Sequence, residues 1–338
     1  MNTILYSSGT LSLSYSSVIL AFAAAACFCM TWSLFRARGG RGVTLCLFLP
    51  LSVVFSVFLS RILHWYCHTE QYSSFFSALT DFRTGGFVLT GVLFSILLSA
   101  LFLSLFPFHS EIPVLLDCLS PGTVILFIFI RLSALFNSSC RSKIAVTAPS
   151  LQRLPFAAEI LDAAGNTEYR FATFFAEAVI LGILLIALLI FYARHASIAE
   201  NTSRRTSGDV WLMFLNWYSA IEVLSDSTRY DSSFTRLNGF VSVVQTTCGV
   251  FMLSVLVIAS IRAIRAEGLR PRHILVWFLW LLSLGGAGIS EYLVQRHGDW
   301  YLSCYAFMAF WLILMAGLST RMLRLQYSRK EEQAALSP

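Results

Sequence analysis

The stretch Ile112-Pro-Val-Leu-Leu-Asp117-Cys-Leu-Ser-Pro121-Gly-Thr-Val-Ile-Leu-Phe-Ile-Phe-Ile-Arg131-Leu-Ser-Ala-Leu-Phe136 decides the fold. At about 1.5 Å per helical residue it is long enough to cross a hydrocarbon core about 30 Å thick. Outward from it, comparable runs recur at Ser17–Phe35, Val43–Ser60, Phe87–Phe106, Phe171–Tyr192, Val210–Leu224, Gly239–Ile261, Ile274–Val294 and Tyr301–Thr320. A chain with 57% hydrophobic and 12% charged residues lacks the polar groups to cover a soluble surface, so the bilayer is its solvent. The expected fold is an all-α polytopic transmembrane bundle of about nine spans.

Charge sets the expected orientation. Arg36, Arg38 and Arg41 follow the first run, and Arg194, Arg204 and Arg205 the fifth. Arg262, Arg265, Arg270 and Arg272 follow the seventh, and Arg321, Arg324, Arg329 and Lys330 the last. All four clusters are cytoplasmic if the sixth run crosses, which puts the N-terminus outside and the C-terminus in the cytoplasm. That sixth run is short and carries Asn216 and Glu222, so a re-entrant or interfacial helix is the alternative. The net charge of +6 lies at the ends of apolar runs instead of in one basic stripe, which speaks for topology and against nucleic acid. The first run has its positive charges after it and no small-residue cleavage site, so it reads as a retained span. The longest connection, Asn137 to Arg170, is expected on the outer face as a small mobile element.

The eight cysteines lack the paired spacing of a zinc site and read as small apolar residues, so no metal is expected. Cys67 and Cys140 fall in polar connections assigned to the same side, which leaves a disulfide between them open.

Ionisable groups inside apolar runs cost at least about 2.5 to 3.5 kcal/mol each on insertion scales, so Asp117, Arg131, Glu177, Glu222 and Glu291 need partners or water. Arg131 offers a planar cationic fork suited to a phosphodiester or carboxylate, and an ion pair with Glu177 or Asp117 is the structural alternative. Glu222, Asp226 and Arg229 fall at i, i+4 and i+7, on one face if the helix persists. Arg61 and His64, one turn apart near the end of the second run, can both face a headgroup region. Glu291 either lines a second polar contact or pairs with Arg296 near the interface.

Several of these segments, in this order, resemble the bacterial prolipoprotein diacylglyceryl transferases. Thr84-Gly85-Gly86-Phe-Val-Leu-Thr90-Gly91 is similar to the family's Gly-Gly-Leu-Ser-Phe-His-Gly segment. Asp117 to Pro121 and Arg131-Leu-Ser-Ala-Leu-Phe-Asn137 resemble its Asp, Pro and Gly-Arg-Ile-Gly-Asn-Phe-Ile-Asn-Gly-Glu stretch. Tyr169 to Ala178 resembles the Pro-Ser-Gln-Leu-Tyr-Glu-Ala region, Tyr218 to Asp231 the Tyr-Gly-x-x-Arg-Phe-x-x-Glu-x-x-Arg-x-x-Asp helix, and Phe240 to Gln245 the Leu-Ser-Met-Gly-Gln segment. The pattern departs at the histidine position, Thr90 here, at the signature glutamate, Ser139 here, and at the arginine of the later helix, Glu222 here.

The resemblance implies transfer of a diacylglyceryl group from phosphatidylglycerol, an anionic phospholipid, to the cysteine thiol of a lipobox-containing precursor protein. It implies no cofactor and a multi-pass location in the bacterial cell (inner) membrane. It implies catalytic roles among Arg131, Asp226, Arg229, Glu177 and His64, and lipid contacts from Arg61, Gly85, Gly86, Thr90, Asn137, Tyr218, Glu222, Asp231 and Gln245. Residues 1–265 would form the transferase-like domain and 266–338 a two-helix extension with a cytoplasmic tail. Because three motif positions are altered, a catalytically silent lipid- or lipoprotein-binding member of the fold stands as the alternative. A transporter is the third reading, although neither inverted repeats nor discontinuous helices stand out.

Overall fold

The computed structural model describes residues 4–8, 11–80, 88–136, 141–161, 166–201, 208–234, 239–296 and 300–336. Helices dominate: α1 Tyr15–Ala37, α2 Gly42–Cys67, α3 Phe75–Thr80, α4 Thr90–Ser104, α5 Ile112–Ser133, α6 Pro149–Gln152, α7 Thr173–Asn201, α8 Asp209–Thr228, α9 Val243–Glu267, α10 Pro271–Arg296 and α11 Tyr301–Leu336. Two antiparallel hairpins, β1 Ile4–Ser8 with β2 Leu11–Ser14 and β3 Ala157–Leu161 with β4 Thr167–Phe171, and two short 3-10 turns, Thr69–Gln71 and Ala134–Phe136, complete the described elements. The fold is an all-α polytopic bundle. Among the described residues, seven helices are long and apolar enough to cross a membrane; α4 is apolar but shorter, and α8 is long but more polar.

The chain falls into two units. The first comprises Met1–Phe136, Leu185–Trp211 and Ser233–Leu237, and the second Asn137–Leu184, Leu212–Ser232 and Asn238–Pro338. In the first, α1 packs along α5 and α2 along α4. The α1–α5 approach depends on Gly122, where an added Cβ would stand 2.5 Å from Thr31 Oγ1 and 2.9 Å from the Cys27 carbonyl oxygen. Gly91 does the same for α4, since a Cβ there would lie 2.7 Å from Ser60 Cα. Backbones brought this close gain dispersion contacts, the main attraction available between helices already in an apolar solvent. The span Ile112–Phe136 is the most buried of the seven, which suits its two charged side chains.

In the second unit α10 and α11 pair along their length and α11 also packs on α9. Helix α9 starts with a capping box: Gln245 N–H donates to Ser242 Oγ at 2.9 Å and Ser242 N–H to Gln245 Oε1 at 3.0 Å. It ends at Gly268, whose φ of 76° is left-handed and suits glycine. Outward faces are apolar, as at Phe278, Leu282, Ile289 and Ile183, as contact with hydrocarbon requires.

The connection after residue 136 differs from expectation. In place of a mobile element, its described part forms α6 and the β3–β4 hairpin, with Ala157 opposite Phe171 and Leu161 opposite Thr167. Backbone bonds tie it down, because Lys143 N–H donates to the Thr228 carbonyl at 2.9 Å and Tyr230 N–H to the Arg141 carbonyl at 2.9 Å. Cys140 is outside the described residues, and with it the disulfide question.

Candidate functional site

The second unit gathers a buried charged cluster around Arg229, the first residue beyond α8. Its backbone N–H donates to the Asp226 carbonyl at 3.1 Å, and Ser142, paired with it in an isolated bridge, donates its hydroxyl to the Thr228 carbonyl at 3.0 Å. The Thr173 and Thr228 hydroxyls share a hydrogen bond at 2.9 Å, joining the start of α7 to the end of α8. With its backbone fixed by both neighbours, the guanidinium points at carboxylates from two helices. Nη2 donates to Glu177 Oε2 of α7 at 2.5 Å and Nη1 to Glu222 Oε1 of α8 at 3.0 Å, while Asp226 Oδ1 lies 3.8 Å from Nη1. Tyr218 Oη donates to the other oxygen of Glu222 at 2.9 Å. Side-chain exposure is 7% for Arg229 and at most 1% for Glu177 and Glu222, so these charges interact at low dielectric. The arrangement holds a planar cation with charge-assisted bonds from two directions.

Helix α8 therefore persists through Glu222 and Asp226, and its polar residues are met by protein groups. Asn216 donates to the Ala316 carbonyl at 2.8 Å and Trp217 to Thr320 Oγ1 at 3.0 Å. The weak hydropathy of the sixth run follows from this, because the helix faces protein more than lipid.

The first unit holds the other candidates. Arg131 is buried in the last turn of α5. Arg61 is buried and donates to the Ala78 carbonyl from Nε at 2.9 Å and Nη2 at 2.5 Å, anchoring α3 to α2. His64 Nδ1 is 3.1 Å from Tyr72 Oη, and its ring stacks on His68 at 4.4 Å. Arg61 also lies over the Tyr72 ring at 5.5 Å, so Arg61 and His64 share that tyrosine. Thr90 is buried at the start of α4, and its hydroxyl finds no hydrogen-bond partner among the described residues. Asp117 is fully buried and accepts the backbone N–H groups of Gly208, Val210 and Trp211 at 2.8, 2.9 and 3.1 Å, with Arg38 at 4.0 Å. It acts as an external N-cap for α8, a role its position in the sequence does not announce.

Glu177, Tyr218, Glu222, Asp226 and Arg229 thus converge within one unit, while Arg131, Arg61, His64 and Thr90 belong to the other. Gln245 caps α9, and Asp231 is exposed just beyond the cluster. Gly85, Gly86, Asn137 and Ser139 lie outside the described residues. Glu291 resolves to the second polar contact: it accepts from Ser227 and, at 2.9 Å, from Gln295, and the alternative pair with Arg296 is not among its described contacts.

Apolar spanning helices around a buried guanidinium braced by carboxylates define a multi-pass membrane protein with a polar interior site. The chain belongs to the prolipoprotein diacylglyceryl transferase family, which it matches over residues 3–261. Among curated proteins, none matches it. Family membership places it among membrane transferases of lipoprotein biosynthesis.

Proposed function

We propose that the protein moves a diacylglyceryl group from phosphatidylglycerol to the lipobox cysteine of a precursor protein, in the inner membrane of a bacterium. The observation that carries this reading is the Arg229 cluster, since charges kept inside a membrane protein despite their insertion cost are functional by default. The sulfur forms a bond to the glyceryl carbon, the bond from that carbon to the phosphate oxygen breaks, and glycerol phosphate leaves. The thiol proton passes to His64, Glu177 or Asp226, because the thiolate is the nucleophile. Arg229 takes the developing charge on the departing phosphate, and Arg131, in the other unit, is the second cation that the family resemblance implies for this role. Arg61, Gly85, Gly86, Thr90, Asn137, Tyr218, Asp231 and Gln245 contact the lipid, and Glu222 sets the orientation of Arg229.

A second reading has its own observation. Both terminal nitrogens of Arg229 already meet carboxylates, so a phosphate has to displace one of them, which favours a silent lipid- or precursor-binding protein. The test is transfer of labelled diacylglyceryl from phosphatidylglycerol to a lipobox peptide by the purified protein in vesicles, beside Arg131→Ala. Transfer that falls about a hundredfold in the variant supports the enzyme. No transfer, with lipid binding that depends on Arg131, supports the silent reading.

A further inference from the structure

The family match ends at residue 261, within α9, so α10 and α11 lie outside the matched stretch. Both helices nevertheless reach the turn of α8 that precedes Arg229. The last carbonyls of a helix have no intrahelical donor, and when buried they need partners from elsewhere. At the end of α8 each is answered. The Ser225 carbonyl accepts from the Thr228 hydroxyl at 2.8 Å, that of Asp226 from Arg229 N–H at 3.1 Å, and that of Thr228 from Lys143 N–H at 2.9 Å and Ser142 Oγ at 3.0 Å. Of the four, the Ser227 carbonyl alone takes its described donor from beyond the matched stretch, Tyr305 Oη of α11 at 3.2 Å. The Ser227 hydroxyl donates to Glu291 Oε2 of α10. Ser227 is 1% exposed, so solvent does not stand in for either partner.

Glu291 is itself buried in an apolar run, a position that carries an insertion cost. Its described donors are neutral: Ser227 on one oxygen and Gln295 Nε2, at 2.9 Å, on the other. With no cation among its described contacts, what this carboxylate fixes is the Ser227 hydroxyl.

Helix α11 grips α8 at a second point, where Asn216 donates to the Ala316 carbonyl at 2.8 Å. Asn216 and Ser227 are eleven residues apart on α8, and Tyr305 and Ala316 are eleven apart on α11. The two antiparallel helices therefore meet in register over about 16 Å, and sliding either one breaks both bonds. Helix α10 is in turn packed tightly on α11, since an added Cβ at Gly286 would stand 2.4 Å from the Trp311 ring.

We infer that α10 and α11 form an internal brace for Arg229, with Glu291 and Tyr305 as positioning residues that act through Ser227. Arg229 stands two residues beyond Ser227, and its guanidinium meets Glu177 at 2.5 Å and Glu222 at 3.0 Å, so a frayed last turn of α8 moves the cation relative to both carboxylates. Misplacing a positioning group by about 1 Å commonly costs about a hundredfold in rate. The part the brace plays in the reaction rests on the proposed reading of Arg229 as a cation that meets the phosphate.

The experiment pairs amide hydrogen exchange with the transfer assay, on the full chain in phosphatidylglycerol vesicles. In Tyr305→Phe and Glu291→Leu the Arg229 and Tyr230 amides should exchange about tenfold faster, while those around Asn216 keep the wild-type rate. Glu291→Gln retains an acceptor for Ser227 and should stay within about twofold of wild type. The kcat for transfer to the lipobox peptide should fall about tenfold in the first two variants, with KM for the peptide unchanged, and recover in Glu291→Gln. Exchange that is unchanged, or faster along the whole of α8, overturns the inference, as does wild-type transfer that Glu291→Leu and Tyr305→Phe leave intact. Absence of transfer by the wild type, with the local exchange response present, counts against the transferase reading and leaves the brace standing. Tyr305→Phe loses only a hydroxyl, so it decides the outcome if Glu291→Leu does not fold.

Discussion

Asp117 in the first unit and Arg229 in the second are both buried ionisable groups of a membrane protein, and the structure satisfies them in opposite ways. Asp117 is met mainly by three backbone N–H groups at the start of α8, with Arg38 at the edge of ion-pair range. Arg229 is met by side-chain charges from α7 and α8. Backbone donors are fixed by the helix they begin, so a carboxylate among them serves as a joint. Side-chain carboxylates can exchange one partner for another, so a cation among them can receive a substrate anion. The same insertion cost is met by a structural joint in one unit and, on the proposed reading, marks chemistry in the other.

Removing the cation should give the largest effect. Arg229→Ala takes away the charge between Glu177 and Glu222, and breaking a buried pair in this way commonly costs about 3–5 kcal/mol. Thermal unfolding in detergent should show a clear fall in Tm, with Arg229→Lys in between because it keeps the charge but loses the planar fork. An unchanged Tm in Arg229→Ala would put the charge balance of the second unit elsewhere and remove the contrast with Asp117.

Asp117→Ala should cost less, about 1–3 kcal/mol, because it strands backbone donors instead of opposing charges. The informative readout is local: hydrogen exchange at residues 208–211 should speed up while the Arg229 end of α8 keeps its protection. Asp117→Asn retains an acceptor and should lie nearer the wild type. If exchange rose equally along α8, Asp117 would be holding the whole helix in place and the division between joint and site would weaken.

The fold was legible in the sequence because an apolar run of bilayer length is stable chiefly as a spanning helix, and the helices occur where those runs are. Legibility was poorest at α8, where Asn216, Glu222 and Asp226 lower the hydropathy; only the structure shows that Thr320, the Ala316 carbonyl and Arg229 answer most of them. The Glu222, Asp226 and Arg229 face follows from helical spacing, and Glu177 stands out as a lone carboxylate in an apolar run. Their meeting does not follow from the sequence, since it depends on the segment around Ser142 pinning the end of α8. Nor does the role of Asp117, whose partners are backbone groups about ninety residues away and leave no trace in side-chain pattern. Glu291 has two partners open to it in the sequence, and its link to Ser227, which joins α10 to α8, is visible only in the folded chain.

Glu111, immediately before α5, gives the smallest and most pH-sensitive test of the comparison, because it is a carboxylate of the same region outside the spans. It accepts from Thr44 Oγ1 at 2.7 Å, from the Arg41 backbone N–H at 3.3 Å and from the Arg41 guanidinium. Desolvation pushes its pKa up, but the bonds from Thr44 and Arg41 outweigh that and hold it below the ordinary carboxylate value. The folded protein therefore binds this proton less tightly than the unfolded chain does. The resulting stability is complete above the unfolded carboxylate pKa, about 4.3, and drains away as pH falls through the lower folded value. Arg41 is 58% exposed, so the contribution is that of a screened surface pair, well below the cost of disturbing Asp117 or Arg229. Glu111→Gln should be slightly less stable than wild type at pH 7, and the gap should close as the pH falls below about 4. A gap that stayed constant from pH 7 to about pH 3 would mean Glu111 works by shape and neutral hydrogen bonding alone, as a second joint beside Asp117.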